Sequence, residues 1–223
     1  MTEITAASGW ARQAAARLQS HWLLKAVGIT VAITTFMVIY FILLNHPQFA
    51  VTTIPPTTLD RLITFQPWSL VPYASLWLYI SLVPMLLFLN REAVPYLSAA
   101  FVLSVVGCLL FWLWPTAINQ PDLNWSRYPS VAFLKTMDSS GNACPSMHVA
   151  FAVLTMLWLR RLLVRIHGPA VMHWLNYGWG LLIIWSTLAL KQHLAIDVLA
   201  GAALGALVAW FHLRLSRHWR IGV

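Results

Sequence analysis

Six long stretches of the chain are almost wholly apolar, and short polar segments separate them. A membrane-spanning helix needs about 20 mostly apolar residues. The stretches at roughly 22–44, 71–89, 93–115, 147–166, 171–191 and 193–214 reach that length. They predict an all-α bundle of six transmembrane helices in a single domain, residues 1–223. Proline lacks a backbone N–H and breaks the helical ladder, so Pro72 and Pro84 predict a second helix that is kinked or starts late. The N-terminal segment 1–21 contains TAASGWARQAAARLQS. It fits a short helix lying along the inner membrane surface, and it fits a frayed tail equally well. Gly201 and Gly205, four apart in AGAALGA, predict a small-residue face that lets the last helix pack closely on a neighbour.

Composition points the same way. The chain is 60% hydrophobic and 9% charged, against about 25% charged in soluble domains. A water-soluble fold of this length could not bury so much apolar surface. The net charge of +8 would suit nucleic acid if it formed one basic face. It does not, because most Lys and Arg residues flank apolar runs, as topology signals and interfacial anchors do. Nucleic-acid binding is therefore not expected. The first apolar run is followed by NHPQFAVTT, without a small-residue cleavage pattern, and reads as a retained helix. Cys108 lies in an apolar run and Cys144 in a loop, so no disulfide and no cysteine-based metal site are expected.

The charges also orient the bundle. With the N-terminus inside, Arg12, Arg17, Lys25, Arg91, Arg160, Arg161, Arg165, Arg214, Arg217 and Arg220 fall on the inner side. Only Arg61, Arg127, Lys135 and Lys191 fall outside. The excess of inner positive charge predicts that both termini are cytoplasmic. The loop 116–146 and the turn at 191–193 then share the outer face. If Arg160 and Arg161 reach the inner interface, His148, roughly 18 Å away along a helix, sits below the outer lipid surface.

Two stretches carry the chemistry. In HLAID, His193 and Asp197 stand at i and i+4 and so share a helix face. A carboxylate there can accept the imidazole Nδ1 proton and leave Nε2 as a nucleophile. Asp197 is also the one acid within the six apolar stretches, where ionisable groups are costly and tend to be functional. A structural His–Asp pair and one half of a zinc site are the alternatives, and the second needs a further ligand. In CPSMHVAF, Pro145 and Ser146 open a helix whose N-terminal N–H groups favour an anion. Ser146 can help hold a phosphate, and His148 can protonate a leaving oxygen. Taken alone, His148 reads more readily as a capping or packing residue, and its pairing with the second stretch reverses that reading. Lys191, two before His193, is a membrane anchor or a phosphate partner, and Arg127 and Lys135 are weaker candidates for the second role.

These residues resemble the phosphatidic acid phosphatase type 2 superfamily. Its motif P-S-G-H appears here as P-S-M-H, Pro145–His148. Its later motif S-R-x5-H-x3-D appears as S-T-x5-H-x3-D, Ser186–Asp197. The resemblance covers at least residues 140–205. It implies a six-helix membrane enzyme in which His193 attacks phosphorus, His148 acts as the acid and Asp197 orients His193. Ser146 and Ser186 would contribute to phosphate binding. Three departures stand out. Thr187 replaces the arginine after the serine, Met147 replaces the glycine, and no arginine precedes a proline, so the early K-x6-R-P motif is missing. Lys191 is the first choice for the lost cation. The departures are similar to those of inositol phosphorylceramide and sphingomyelin synthases, which pass the headgroup to another alcohol.

The expected protein is thus a lipid phosphate phosphatase working through a phosphohistidine, with no cofactor and no metal. A headgroup phosphotransferase is the alternative, and a transporter a more distant one. Its expected partners are the lipid phosphate substrate and the surrounding membrane lipids. The expected location is a plasma membrane of the bacterial inner-membrane type, with the site facing the periplasm or exterior. The lipid, the acceptor and the oligomeric state stay open. The charge asymmetry makes a direct prediction: topology reporters fused at residue 223 and within the 116–146 loop give opposite signals, and matching signals would separate the two stretches onto different faces.

Overall fold

The computed structural model describes residues 2–89, 92–119, 123–137 and 141–215, without the side chains of 2–8 and 135–137. Arg91, Arg217 and Arg220, three of the charges used for orientation, lie outside the described residues. In chain order the elements are α1 (Thr2–Gln19), α2 (Trp22–Asn45), β1 (Thr52–Ile54), α3 (Thr58–Leu62), α4 (Leu70–Ala74), α5 (Leu76–Leu86) and α6 (Val94–Leu113). There follow β2 (Thr116–Ile118), α7 (Pro129–Met137), α8 (Met147–Arg165), α9 (Ala170–Ala189) and α10 (Ala195–Leu215).

Among the described residues, five helices are long and apolar enough to cross a membrane: α2, the Pro67–Leu86 segment, α6, α8 and α10. The sixth expected span forms α9, which has 20 residues but carries His173, Asn176, Tyr177 and three tryptophans. Asn176 explains part of this polarity. Its Nδ2 donates to the Met156 carbonyl at 2.9 Å, and the Tyr79 hydroxyl donates to its Oδ1 at 2.6 Å. One buried amide thus ties α9 to α8 and α5. Lipid tails are as apolar as leucine, so such bonds and close packing carry helix association in a bilayer.

The second span divides as its prolines suggest. Helix α4 ends two residues beyond Pro72, and α5 restarts after Ser75 with Pro84 inside it. The Ser75 hydroxyl donates to the Pro72 carbonyl at 2.7 Å and accepts the Trp179 indole N–H at 3.0 Å.

Helix α8 is the axis of the bundle. It runs through the main core with Tyr79, Leu103, Phe111 and Ile183 around it. Its first turns include Ala150 and Ala152, both fully buried. Helix α10 lies against them through the predicted glycine face. A Cβ added at Gly201 would collide with the Ser146 carbonyl oxygen, and one at Gly205 with that of Ala150.

The two ends of the bundle differ. At the end reached by the C-terminus of α8, Glu92 is buried and accepts Arg17 at 2.8 Å and Arg165 at 3.1 Å. Lys25, also buried, donates to the carbonyls of Arg17 at 2.6 Å and Met85 at 2.9 Å. Three basic residues read from sequence as interfacial anchors thus form a cluster around an acid, because unpaired burial of any of them is far costlier. The cluster fastens α1 to α2, α5, α6 and α8. Trp10 and Ala14 of α1 also pack on the core, which favours the helix over the frayed tail.

At the opposite end the long polar loops fold into a cap that periodicity did not predict. Strands β1 and β2 pair in parallel, Thr53 opposite Ala117. Ile54, Ile118, Ala143, Cys144 and Leu194 form a small core beneath them. Cys108 and Cys144 are both free thiols.

The glycine face gives a stability test. Gly205→Leu forces a side chain into the Ala150 backbone, and overpacking of this kind costs about 1–3 kcal/mol. The expected result is a lower thermal midpoint in detergent, while Gly9→Ala, in helix α1 with open space at its Cβ, does not lower the midpoint.

Candidate active site

The first motif is built by the start of α8. Ser146 is the N-cap, and its Oγ accepts the Val149 N–H at 3.3 Å. This satisfies one of the four N–H groups that a helix start leaves open. His148 follows in the first turn. Its ring stacks on Tyr73 of α4, with centroids 4.0 Å apart and planes at 16°. The Tyr73 backbone hydrogen-bonds the imidazole, and Nε2 is buried without a partner. Met147, which departs from the motif's glycine, is accommodated by α6: its side chain fills the space that a Cβ at Gly107 would need. The small residue has moved to the facing helix.

The second motif is built by the turn between α9 and α10. Lys191 adopts φ 57°, its N–H donates to Leu188, and the Gln192 N–H donates to Thr187. This pairing ends many helices, usually with glycine in the left-handed position. The Thr187 carbonyl also accepts the His193 N–H at 3.2 Å. The residue at the motif's arginine position therefore holds the histidine by its backbone, while its hydroxyl donates to the Ile184 carbonyl. Ser186 is fully buried, and its hydroxyl donates to Ile183 at 2.6 Å.

Lys191 uses its side chain to anchor this turn. The ammonium donates to the carbonyls of Asp60, at 2.7 Å, and Ile63. Two of its three N–H donors are thereby engaged. Burial lowers the Lys191 pKa, and the Asp60 charge works against that shift. Asp60 is itself buried. Its Oδ2 completes a capping box with Thr57, and its Oδ1 accepts the Ala195 N–H at the start of α10.

Asp197 has no exposed surface. Its Oδ2 accepts the Leu194 N–H at 2.8 Å and lies 3.8 Å from His193 Nδ1, beyond hydrogen-bonding distance. Its Oδ1 has no partner. The two motifs meet through the backbone: the Ser146 N–H donates to the Asp197 carbonyl at 3.0 Å. Cys144, beside this junction, has its pKa pushed up to about 11 by burial and then by the Asp197 charge. It is a neutral thiol, unsuited to act as a nucleophile.

Four buried polar atoms in these stretches lack partners: His148 Nε2, Gln192 Nε2, His193 Nδ1 and Asp197 Oδ1. Unsatisfied buried groups are few in folded proteins, and each calls for a physical reason. Two of them belong to His148 and His193, which line a cavity of about 830 Å³ together with Tyr73 and Met147. Its volume is in the range of ligand pockets. Arg127 is exposed on the 3-10 turn Trp125–Arg127. Trp125 and Tyr128 pack edge-on against Phe65, in the cluster that also holds Tyr73 and Leu190. Its segment therefore abuts the residue stacked on His148. The Lys135 side chain lies outside the described residues. Among the described residues, no group of three or more His, Cys, Asp and Glu side chains is gathered as for a metal ion.

Sequence reasoning missed Tyr73, Asp60 and Gln192. The spacing Thr57-x-x-Asp60 was a capping-box signal. Nothing in VPYASLW distinguishes Tyr73 from other core aromatics, and nothing marks Gln192 as a buried amide.

The family model described as the PAP2 superfamily matches residues 92–221. No curated protein and no solved structure matches the chain. The geometry of Lys191 yields a test with two readouts. Lys191→Ala removes two charge-assisted hydrogen bonds and should lower stability by about 1.5–3 kcal/mol, read as the midpoint in detergent. It should also lower kcat/KM. Wild-type kinetics with lowered stability would leave Lys191 a purely structural anchor.

Proposed function

Because this chain belongs to the PAP2 superfamily, with phosphatase or phosphotransferase activity as its class, we propose that it cleaves the phosphoester or phosphoanhydride of a membrane lipid. The supporting observation is the junction of the two motifs, which brings His148 and His193 to the wall of one cavity. In the proposed reaction His193 attacks phosphorus. An N–P bond forms, the bond from phosphorus to the leaving oxygen breaks, and a proton passes from His148 to that oxygen. Water then gives a proton to His148 and attacks the phosphohistidine, the N–P bond breaks, and phosphate leaves with both histidines restored.

Asp197 supports the first step by its place beside His193. Hydrogen bonds in an unliganded catalytic site are often long and tighten when substrate binds, and the 3.8 Å separation fits that pattern. The positive end of α8, with Ser146 at its cap, supports phosphate binding. Arg127 and the remaining donor of Lys191 are the proposed cationic contributions. The mostly apolar cavity supports a lipid rather than a soluble phosphate ester. The positive-inside charge pattern supports an outward-facing site with both termini cytoplasmic. A lipid phosphotransferase shares the first step and differs in the acceptor. The departures at Met147 and Thr187 favour keeping that reading.

The proposed roles are unequal, and that makes them testable. His193→Ala should abolish turnover and covalent labelling by phosphate. His148→Ala removes only proton delivery, typically worth 10²–10⁴-fold. An aryl phosphate has a good leaving group and needs little protonation. His148→Ala should therefore keep far more activity on an aryl phosphate than on a lipid alkyl phosphate. Phosphate trapped on His148, or equal losses for both variants on both substrates, would refute the assignment.

A further inference from the structure

We propose that the substrate's hydrocarbon tail lies in the groove along α2, and that Lys25 and Gly28 set the chain length accepted. The inference rests on the functional reading above. It narrows the substrate from a lipid phosphate to one whose chain is longer than a single leaflet is deep.

Helix α2 lines the cavity broadly, and its lining includes the stripe Lys25, Gly28, Ala32, Phe36, Tyr40 and Leu43, in which Gly28 and Ala32 are exposed. Their spacings of three and four place them on a single helix face. The Leu43 end adjoins the catalytic loops, where the Asn142 amide donates to the Tyr40 carbonyl at 3.1 Å. The Lys25 end adjoins the ion cluster. The helix rise between Lys25 and Leu43 is roughly 27 Å. A bilayer core is about 30 Å thick, so one leaflet is about 15 Å. A chain no longer than a leaflet fills about half of this cavity, whereas a longer one reaches its floor.

The floor is fixed. Lys25 is 3% exposed, and its ammonium is held by the Arg17 and Met85 carbonyls. Arg17 is itself clamped by Glu92 at 2.8 Å. A chain tip that displaced Lys25 would leave an ammonium buried without partners, which is heavily penalised. Just above it, Gly28 opens the cavity: a Cβ there would meet nothing within 4 Å. A larger residue at 28 takes up tail volume instead of clashing with protein, in contrast to Gly201 and Gly205. The occupant is assigned as the tail because His148 and His193 line the same cavity.

The test uses purified protein in mixed micelles, with single-chain lipid monophosphates graded in length and an aryl phosphate as the tail-less reference. In wild type, kcat/KM should rise with chain length until the tail spans about 27 Å and then level off. Gly28→Trp should move the plateau to shorter chains and lower the longest-to-shortest ratio by about tenfold or more, in line with the discrimination a hydrophobic pocket gives. Ala32→Phe, one turn nearer the histidines, should shift it further and serves if Gly28→Trp does not fold. Val31→Trp, which lies off the cavity stripe and is 59% exposed, should keep the wild-type profile. A flat wild-type profile, or unchanged profiles in both cavity variants, would overturn the tail assignment and leave the phosphoryl chemistry standing. Wild-type protein that turns over neither the aryl phosphate nor any lipid would overturn both.

Discussion

The site depends on one close approach. Helix α10 can lie against the first turns of α8 only because positions 201 and 205 carry no Cβ. At that separation the Ser146 N–H reaches the Asp197 carbonyl. This bond joins the N-terminal turns of two helices that are separated in sequence by all of α9. His148 belongs to one turn, and the His193–Asp197 pair to the other. A lateral slip of one helix by even a single turn, about 5.4 Å, would part the histidines. Small-residue packing is ordinarily a way of associating helices in lipid. In this chain it also sets how the two histidine motifs face each other.

Most neighbouring polar atoms serve this junction. Asp60 and Asp197 each accept an N–H at the start of α10, and Ser146 accepts one in α8. Lys191 holds α3 against the turn that presents His193. The atoms left unsatisfied are therefore informative. A fold that recruits two carboxylates and a hydroxyl to satisfy helix starts has the means to pair His148 Nε2 or Asp197 Oδ1 as well. Leaving them bare costs about 1–3 kcal/mol for each group. The cost makes physical sense where a ligand supplies the missing partners.

The helices were legible because spanning a bilayer needs long apolar runs, and their ends fell within a few residues of the expected ones. The glycine face and the two histidine motifs were legible because their spacing is short-range and helical. The cap was not. Strands β1 and β2 are three residues each and pair across a sequence gap of more than 60 residues, so no local periodicity marks them. The same reason hid Tyr73, whose stacking partner lies 75 positions away. Lys25 and Arg17 misled in a different way. Basic residues beside apolar runs are usually solvated anchors, and only the fold shows that Glu92 is near enough to draw them inside. Thr187 shows a further limit: the motif marks a position for its side chain, whereas here the backbone carbonyl carries the contact.

The two polar ends of the bundle are therefore different in kind. At the Glu92 end Arg17, Lys25 and Glu92 all have opposite or carbonyl partners, and such a cluster resists rearrangement, because removing one partner leaves the others buried and uncompensated. At the histidine end the helix starts are capped only in part, and His148 Nε2, His193 Nδ1 and Asp197 Oδ1 have no partners. A rigid, fully paired end fixes α2 and α5 against α8 through the Arg17, Lys25 and Met85 contacts. That fixation lets an apolar cavity persist between α2 and the rest of the bundle, where lipid alone gives helices little reason to stay apart or together. Lys25 of the ion cluster and the two histidines thus line one cavity from its opposite ends.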